Sequence, residues 1–135
     1  MFEDEEIKYA EREIDGKIYV KVARSDEIYD GKGYKFAFEE DDDMQIAVFR
    51  VKGKLYCLHN ICPHRHGERI YEAIIYDNLT IACPLHFWTY SLETGENINQ
   101  KQGIKGLRKF DVFEENGEVW AEKPQYAPPK WRAEK

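Results

Sequence analysis

Two short segments, Cys62-Pro63-His64 and Cys83-Pro84-Leu85-His86, constrain this chain more than anything else in it. Each joins a soft thiolate donor to a borderline imidazole donor. Eighteen residues separate the two, giving the pattern C-x-H-x18-C-x-x-H. One such residue would mean little. A repeated pair, each copy beside a proline, asks for a metal that accepts both sulfur and nitrogen, which means zinc or an iron–sulfur centre. A single tetrahedral zinc would need all four side chains on one ion. A two-iron, two-sulfide cluster would place the cysteines on one iron and the histidines on the other. The spacing alone leaves both open.

The segments around this pattern alternate with period two, the mark of half-buried strands. Lys17–Ala23, Tyr34–Phe38, Gln45–Val51, Leu55–Cys57-Leu58, Ala73–Tyr76, Leu79–Ala82, Phe87–Leu92, Leu107–Phe113 and Glu118–Ala121 all read as strands. Turn residues divide them: Asp30–Gly33, Lys52–Lys54, Asp77-Asn78, Glu93–Gly95 and Glu114–Gly117. Ser25–Glu27 reads as a helical turn. Residues 1–15 are highly charged without an apolar stripe, and read as a fraying end or a short helix. The tail from Pro124 to Lys135 holds three of the five prolines and reads as irregular. Many short strands with almost no helix predict an all-β antiparallel fold. The length of 135 residues suits one compact domain.

Composition narrows the function classes. Apolar residues make up 42% of the chain, enough for a core, and the net charge is -6, which argues against a nucleic-acid partner. No apolar run approaches the eighteen or so residues of a membrane span, so no membrane association is expected. The acidic start, Met1–Glu6, is unlike a secretory signal, and a cytoplasmic protein is the expectation. Of three cysteines, two belong to the repeated pair, so Cys57 has no partner for an intramolecular disulfide. In Leu55-Tyr56-Cys57-Leu58 it reads as a small buried hydrophobe. The run Glu39–Asp43 reads as a solvated hairpin tip, with steering of a basic partner as the functional alternative. No glycine-rich nucleotide fingerprint is present.

Cys62-Pro-His-Arg-His-Gly67 and Cys83-Pro-Leu-His-Phe-Trp-Thr-Tyr90, followed by Leu92-Glu-Thr-Gly95, closely resemble the two cluster-binding loops of Rieske-type proteins. The detailed likeness runs from about Val48 to Gly95, on the side of the low-potential branch: Rieske ferredoxins and the small subunits of nitrite reductases. The resemblance implies the Rieske fold, a β base with a cluster-binding subdomain at about 57–100. It implies one [2Fe-2S] cluster with Cys62 and Cys83 on one iron and His64 and His86 on the other. Neutral imidazole ligands make such a cluster easier to reduce than an all-cysteine one. Tyr90 takes the place where the high-potential branch has a tyrosine that hydrogen-bonds cluster sulfur. The alternative is a ring turned into the core or to solvent. Trp88 stands where that branch has serine, and reads as packing beneath the loop. His66 and Arg65 are candidates for contacts around the cluster, and Arg65 and Arg69 for partner docking. Gly67 and Leu85 occupy the places of that branch's inter-loop disulfide, which therefore cannot form. A proline-containing cover after the second loop is replaced by Gln100–Leu107, which has no proline.

The function implied is a one-electron carrier between a reductase and an acceptor enzyme such as an oxygenase, without catalysis of its own. A non-catalytic subunit of a nitrite reductase-type complex is the alternative, favoured slightly by Leu85 and Trp88. A zinc-stabilised structural module is the remote one.

Overall fold

The computed structural model describes residues 9–62, 67–85, 87–99 and 106–124. Its strands are β1 (Glu11–Ile14), β2 (Lys17–Arg24), β3 (Lys32–Ala37), β4 (Gln45–Val51), β5 (Lys54–His59), β6 (Ile74–Tyr76), β7 (Thr80–Ala82), β8 (Thr89–Ser91), β9 (Lys109–Phe110), β10 (Val112–Glu115) and β11 (Glu118–Glu122). Two single turns of 3-10 helix, Ser25–Glu27 and Ile70–Glu72, complete the described elements. The strands form three antiparallel sheets with orders β1-β2-β11-β10, β3-β4-β5-β9 and β6-β7-β8. The all-β expectation holds.

Strand β4 sets the layering. Successive side chains of a strand point to opposite faces, and here both faces are covered. Ile46 and Val48 enter a core shared with Val20, Val22, Val119 and Ala121 of the first sheet. Ala47, Phe49 and Val51 enter a second core with Ile70, Ile81, Tyr90, Leu92 and Leu107. The second sheet is thus the middle layer of a sandwich. It holds the first sheet on one side and, on the other, the excursion between β5 and β9. Those two strands are themselves paired, Cys57 opposite Phe110 and Leu58 opposite Lys109. The chain between them carries both cysteine–histidine segments and the small third sheet.

Three hairpins are closed by two-residue turns with both residues at positive φ: Asp15-Gly16 (53° and 84°), Lys52-Gly53 (54° and 83°) and Asn116-Gly117 (54° and 78°). Such turns match the right-handed twist of the strands they join. The first of them overturns an expectation. Residues 11–14 are neither frayed nor helical; they form β1, paired with β2 from Glu11 opposite Val20 to Ile14 opposite Lys17. The strand is an edge, where exposed charge is tolerated. Arg12 reaches across to Glu115 at 2.7 Å and lies over the Trp120 ring. Asp15-Gly16 was the sequence signal for it.

Two other predicted strands change. Leu107–Phe113 is not one strand: Asp111 divides β9 in the second sheet from β10 in the first. The Asp111 amide donates to the Glu122 carboxylate at 3.0 Å. Phe87–Leu92 shortens to β8 because Phe87 adopts φ 60° and its amide turns back to the Cys83 carbonyl. Residues 1–8 and the tail beyond Pro124 lie outside the described residues.

At the end of β5, the half-buried His59 ring donates from Nε2 to the Asp43 carbonyl at 2.7 Å. Burial holds its pKa below the ordinary value, opposed by that hydrogen bond and assisted by nearby Arg108. A base with a depressed folded pKa contributes stability above its unfolded pKa. That contribution is lost as pH falls through the folded value. We expect the urea midpoint to drop between pH 7 and pH 5, and to drop less in His59→Gln.

Candidate metal centre

Cys62 and Cys83 each stand at the root of a short loop, and the two loops are closed in the same way. The Cys62 amide donates to the Gly67 carbonyl at 2.8 Å, five residues on; the Cys83 amide donates to the Trp88 carbonyl, also five residues on, at 2.8 Å. Each loop therefore starts on a cysteine, and His64 or His86 falls within its span. Both histidines, together with His66 and Arg65, lie outside the described residues.

The two sulfur-bearing residues are buried, at 1% and 0% exposure, within the same apolar core. Cys57 is not with them. Strand alternation sends it to the opposite face of β5, into the core between the first two sheets, where burial pushes its thiol pKa up. That placement matches the reading of Cys57 as a buried hydrophobe and separates it from the repeated pair.

The loops touch. A Cβ added to Gly67 would collide with Cδ1 of Leu85, so the leucine side chain lies directly on the glycine backbone. An apolar contact thus stands at the two places identified with the inter-loop disulfide. It joins the loops without a covalent bond.

Tyr90 is fully buried in the middle of β8, and its hydroxyl lies 3.7 Å from Cys62 Sγ. Burial, followed by the bond to Cys62, raises the phenol pKa, so the O–H keeps its proton. A metal-bound thiolate has no proton to give, so the hydroxyl is then the donor. The Tyr90 ring thus lies in the core, with its hydroxyl beside the Cys62 sulfur. Trp88 is half-buried against the same core. Arg69 pairs with Glu72 at 2.6 Å and is exposed.

The sequence reading passed over a polar residue two positions before Cys62. Asn60 is fully buried at the start of the first loop and hydrogen-bonds its returning limb at Glu68 and Tyr71. Its signal was an amide that, with His59, stands between the apolar Leu58 and Ile61.

Two buried thiols and two loop imidazoles supply the soft and borderline donors that a Rieske cluster takes. Apolar packing and a hydroxyl at one sulfur suit it further, so the chemistry of the donor set fits. Among the described residues alone no three metal donors gather, since the two histidines fall outside them.

Comparison with known proteins agrees. The Rieske [2Fe-2S] domain matches residues 18–123. A 3-phenylpropionate/cinnamic acid dioxygenase ferredoxin subunit of Escherichia coli K12 is 28% identical over 92 residues, covering 68% of this chain and 85% of its own. Among solved structures, the ferredoxin of carbazole 1,9a-dioxygenase from Nocardioides aromaticivorans IC177 is similar in fold. It has a TM-score of 0.68 at 23% identity, over 79% of this chain and 98% of that one. A Mycobacterium tuberculosis chain named as an NADH-dependent nitrite reductase small subunit has a TM-score of 0.72 at 14% identity, over 83% and 100%. Matching this domain over most of its length, the chain belongs to the Rieske [2Fe-2S] family.

Proposed function

We propose that this chain is an electron carrier that passes one electron from a reductase to an acceptor enzyme of the oxygenase type, with no substrate reaction of its own. Cys62 and Cys83 would hold one iron of a [2Fe-2S] cluster, and His64 and His86 the other. When bound, the cluster supplies reversible one-electron chemistry, and its potential is raised by the imidazole ligands. The observation that carries this reading is the pair of loops closed by equivalent hydrogen bonds, each with a buried cysteine at its root. The residues around them have distinct tasks. Leu85 packs on Gly67 and links the two loops, and Tyr90 donates to the Cys62 sulfur. The segment at about 57–100 would act as the cluster-binding part of a single unit. In the same reading the protein works in the cytoplasm, where a spare thiol such as Cys57 stays reduced. No helix among the described residues is long and apolar enough to cross a membrane.

Absorption and EPR spectra of the purified protein, before and after dithionite, test the cluster. The expected result is a red-brown protein with a rhombic reduced signal; a colourless protein with one bound zinc would overturn the reading. Stopped-flow oxidation of the reduced protein by a dioxygenase component, such as that of the 3-phenylpropionate system, tests the acceptor class. A second reading, a subunit of a nitrite reductase-type complex, is favoured by the Leu85 and Trp88 of the second loop. Co-purification with a flavin- and haem-bearing subunit would select it over a free carrier.

The Tyr90 hydroxyl gives a quantitative expectation. A hydrogen bond to sulfur stabilises the more negative, reduced state. The shift reads how much the bond strengthens on reduction, so a bond of about 0.5–1.5 kcal/mol sets a ceiling of roughly 20–65 mV for one electron. Tyr90→Phe is expected to lower the midpoint potential by up to that amount in film or solution voltammetry.

A further inference from the structure

We propose that Asn60 is the positioning residue of the first cysteine loop. It acts through Cys62 on the sulfur–hydroxyl contact with Tyr90, an inference that rests on the cluster reading above.

Asn60 has 0% exposure, and a buried amide is costly unless its polar atoms are paired. Here they are. Its Nδ2 donates to Gln45 Oε1 at 2.9 Å and to the Glu68 carbonyl at 3.1 Å. Its Oδ1 accepts from the Tyr71 amide at 2.9 Å. The backbone joins in: the Asn60 amide donates to the Gln45 carbonyl at 3.1 Å, and the Asn60 carbonyl accepts from the Ile70 amide at 3.2 Å. One residue thus ties the end of β5 to the start of β4 and to the returning limb, Glu68–Tyr71, of the loop that begins at Cys62. Gln45 is buried as well, and its own Nε2 donates to the Asp42 carbonyl at 2.8 Å.

This geometry determines where Cys62 sits. The loop leaves β5 at Asn60, passes Cys62 and returns through Gly67, whose carbonyl takes the Cys62 amide. Asn60 grips the departing and returning limbs together, on either side of that bond. The Cys62–Tyr90 contact spans 28 positions of sequence at 3.7 Å. It survives only if the loop root keeps its place in the core that Cys62, Ile70 and Tyr90 share. Leucine at position 60 would fill the space and leave three polar groups without partners. Alanine would leave the same groups unpaired beside a small void. In either case the returning limb is free to shift, and the sulfur with it.

The test compares holoprotein carrying Asn60→Ala with Val119→Ala, a core truncation remote from the loops and fully buried. Hydrogen exchange in the peptide spanning Tyr71 is expected to accelerate in Asn60→Ala and not in Val119→Ala. The potential of Asn60→Ala is expected to move down, in the direction of Tyr90→Phe. In the double variant Asn60→Ala/Tyr90→Phe, the further shift should be smaller than the two single shifts added. If Asn60→Ala does not accumulate, Gln45→Leu removes one acceptor of the same network and should show the same pattern at lower amplitude. The proposal is overturned if both variants keep wild-type exchange, EPR signature and potential. It is also overturned if Val119→Ala shifts them equally, or if the shifts of Asn60→Ala and Tyr90→Phe simply add. Wild-type protein without iron would overturn the cluster reading itself, and that is seen before any variant is compared.

Discussion

Cys83→Ala is expected to purify without colour, without stoichiometric iron or acid-labile sulfide, and without an EPR signal after dithionite. Cys57→Ala, removing the same atom from a residue buried almost as deeply, is expected to keep all three. The contrast follows from strand geometry. Cys57 sits on the face of β5 that packs on Val48 and Phe110, while Cys83 lies in the core on the far side of the second sheet, with Cys62 and Tyr90. In the proposed cluster, removing one of two thiolate donors would leave an iron without a full ligand set. Metal binding and folding are coupled in small metal-binding units. The loss should therefore reach beyond the iron: the loops at Cys62 and Cys83 should become sensitive to proteolysis while the first sheet stays protected. Limited trypsin digestion with mass spectrometry reads this, together with iron and sulfide assays. A Cys83→Ala protein that retained a full cluster would remove Cys83 from the site.

Gly95→Ala is expected to cost about 3 kcal/mol or more of unfolding free energy, against about 1–2 kcal/mol for Gly16→Ala. Both glycines have positive φ, 83° and 84°, so the intrinsic backbone penalty is shared. The surroundings differ. A Cβ at Gly16 meets nothing within 4 Å. A Cβ at Gly95 would overlap the Leu107 carbonyl oxygen and lie 3.0 Å from its carbon and 3.5 Å from Leu58 Cδ2. Hydrogen bonds hold the backbone on both sides of this approach. The Leu107 amide is bonded to the Gly95 carbonyl at 2.7 Å, and the Gly95 amide to Ser91 at 2.8 Å. Gly106 approaches the same Gly95 carbonyl, so the end of the second loop and the chain entering β9 meet backbone to backbone. This contact stands at the edge of the Gln100–Leu107 cover; of that stretch only Gly106 and Leu107 are described. Urea unfolding of the two variants, compared by midpoint at unchanged slope, checks the difference. Equal costs would mean that the loop gives way at Leu107.

The two cysteine–histidine segments, most strands and the two hairpin turns at Lys52-Gly53 and Asn116-Gly117 could be read directly from the residues. Period-two alternation and turn chemistry are local properties, and a metal-ligand pattern is visible wherever donor spacing repeats. The charged strand β1 was obscured because edge strands need little apolar content; only Asp15-Gly16 betrayed it. The crossing from one sheet to another at Asp111 was obscured because alternation continues through it unchanged.

Local pattern could not say which face of a strand meets which core when both faces are buried. Tertiary structure alone decided that Cys57 turns away from Cys62 although it stands only five positions before it, and that Tyr90 turns toward its sulfur from 28 positions away. It alone set Leu85 on Gly67 and made Asn60 the tie between two loop limbs. By itself the sequence determined which thiol and imidazole groups the two segments offer and the β character of what carries them. The depth and neighbours of Cys62 and Cys83 came from packing between segments far apart in the chain, because burial and contact are properties of the surfaces that meet rather than of the residues on either side.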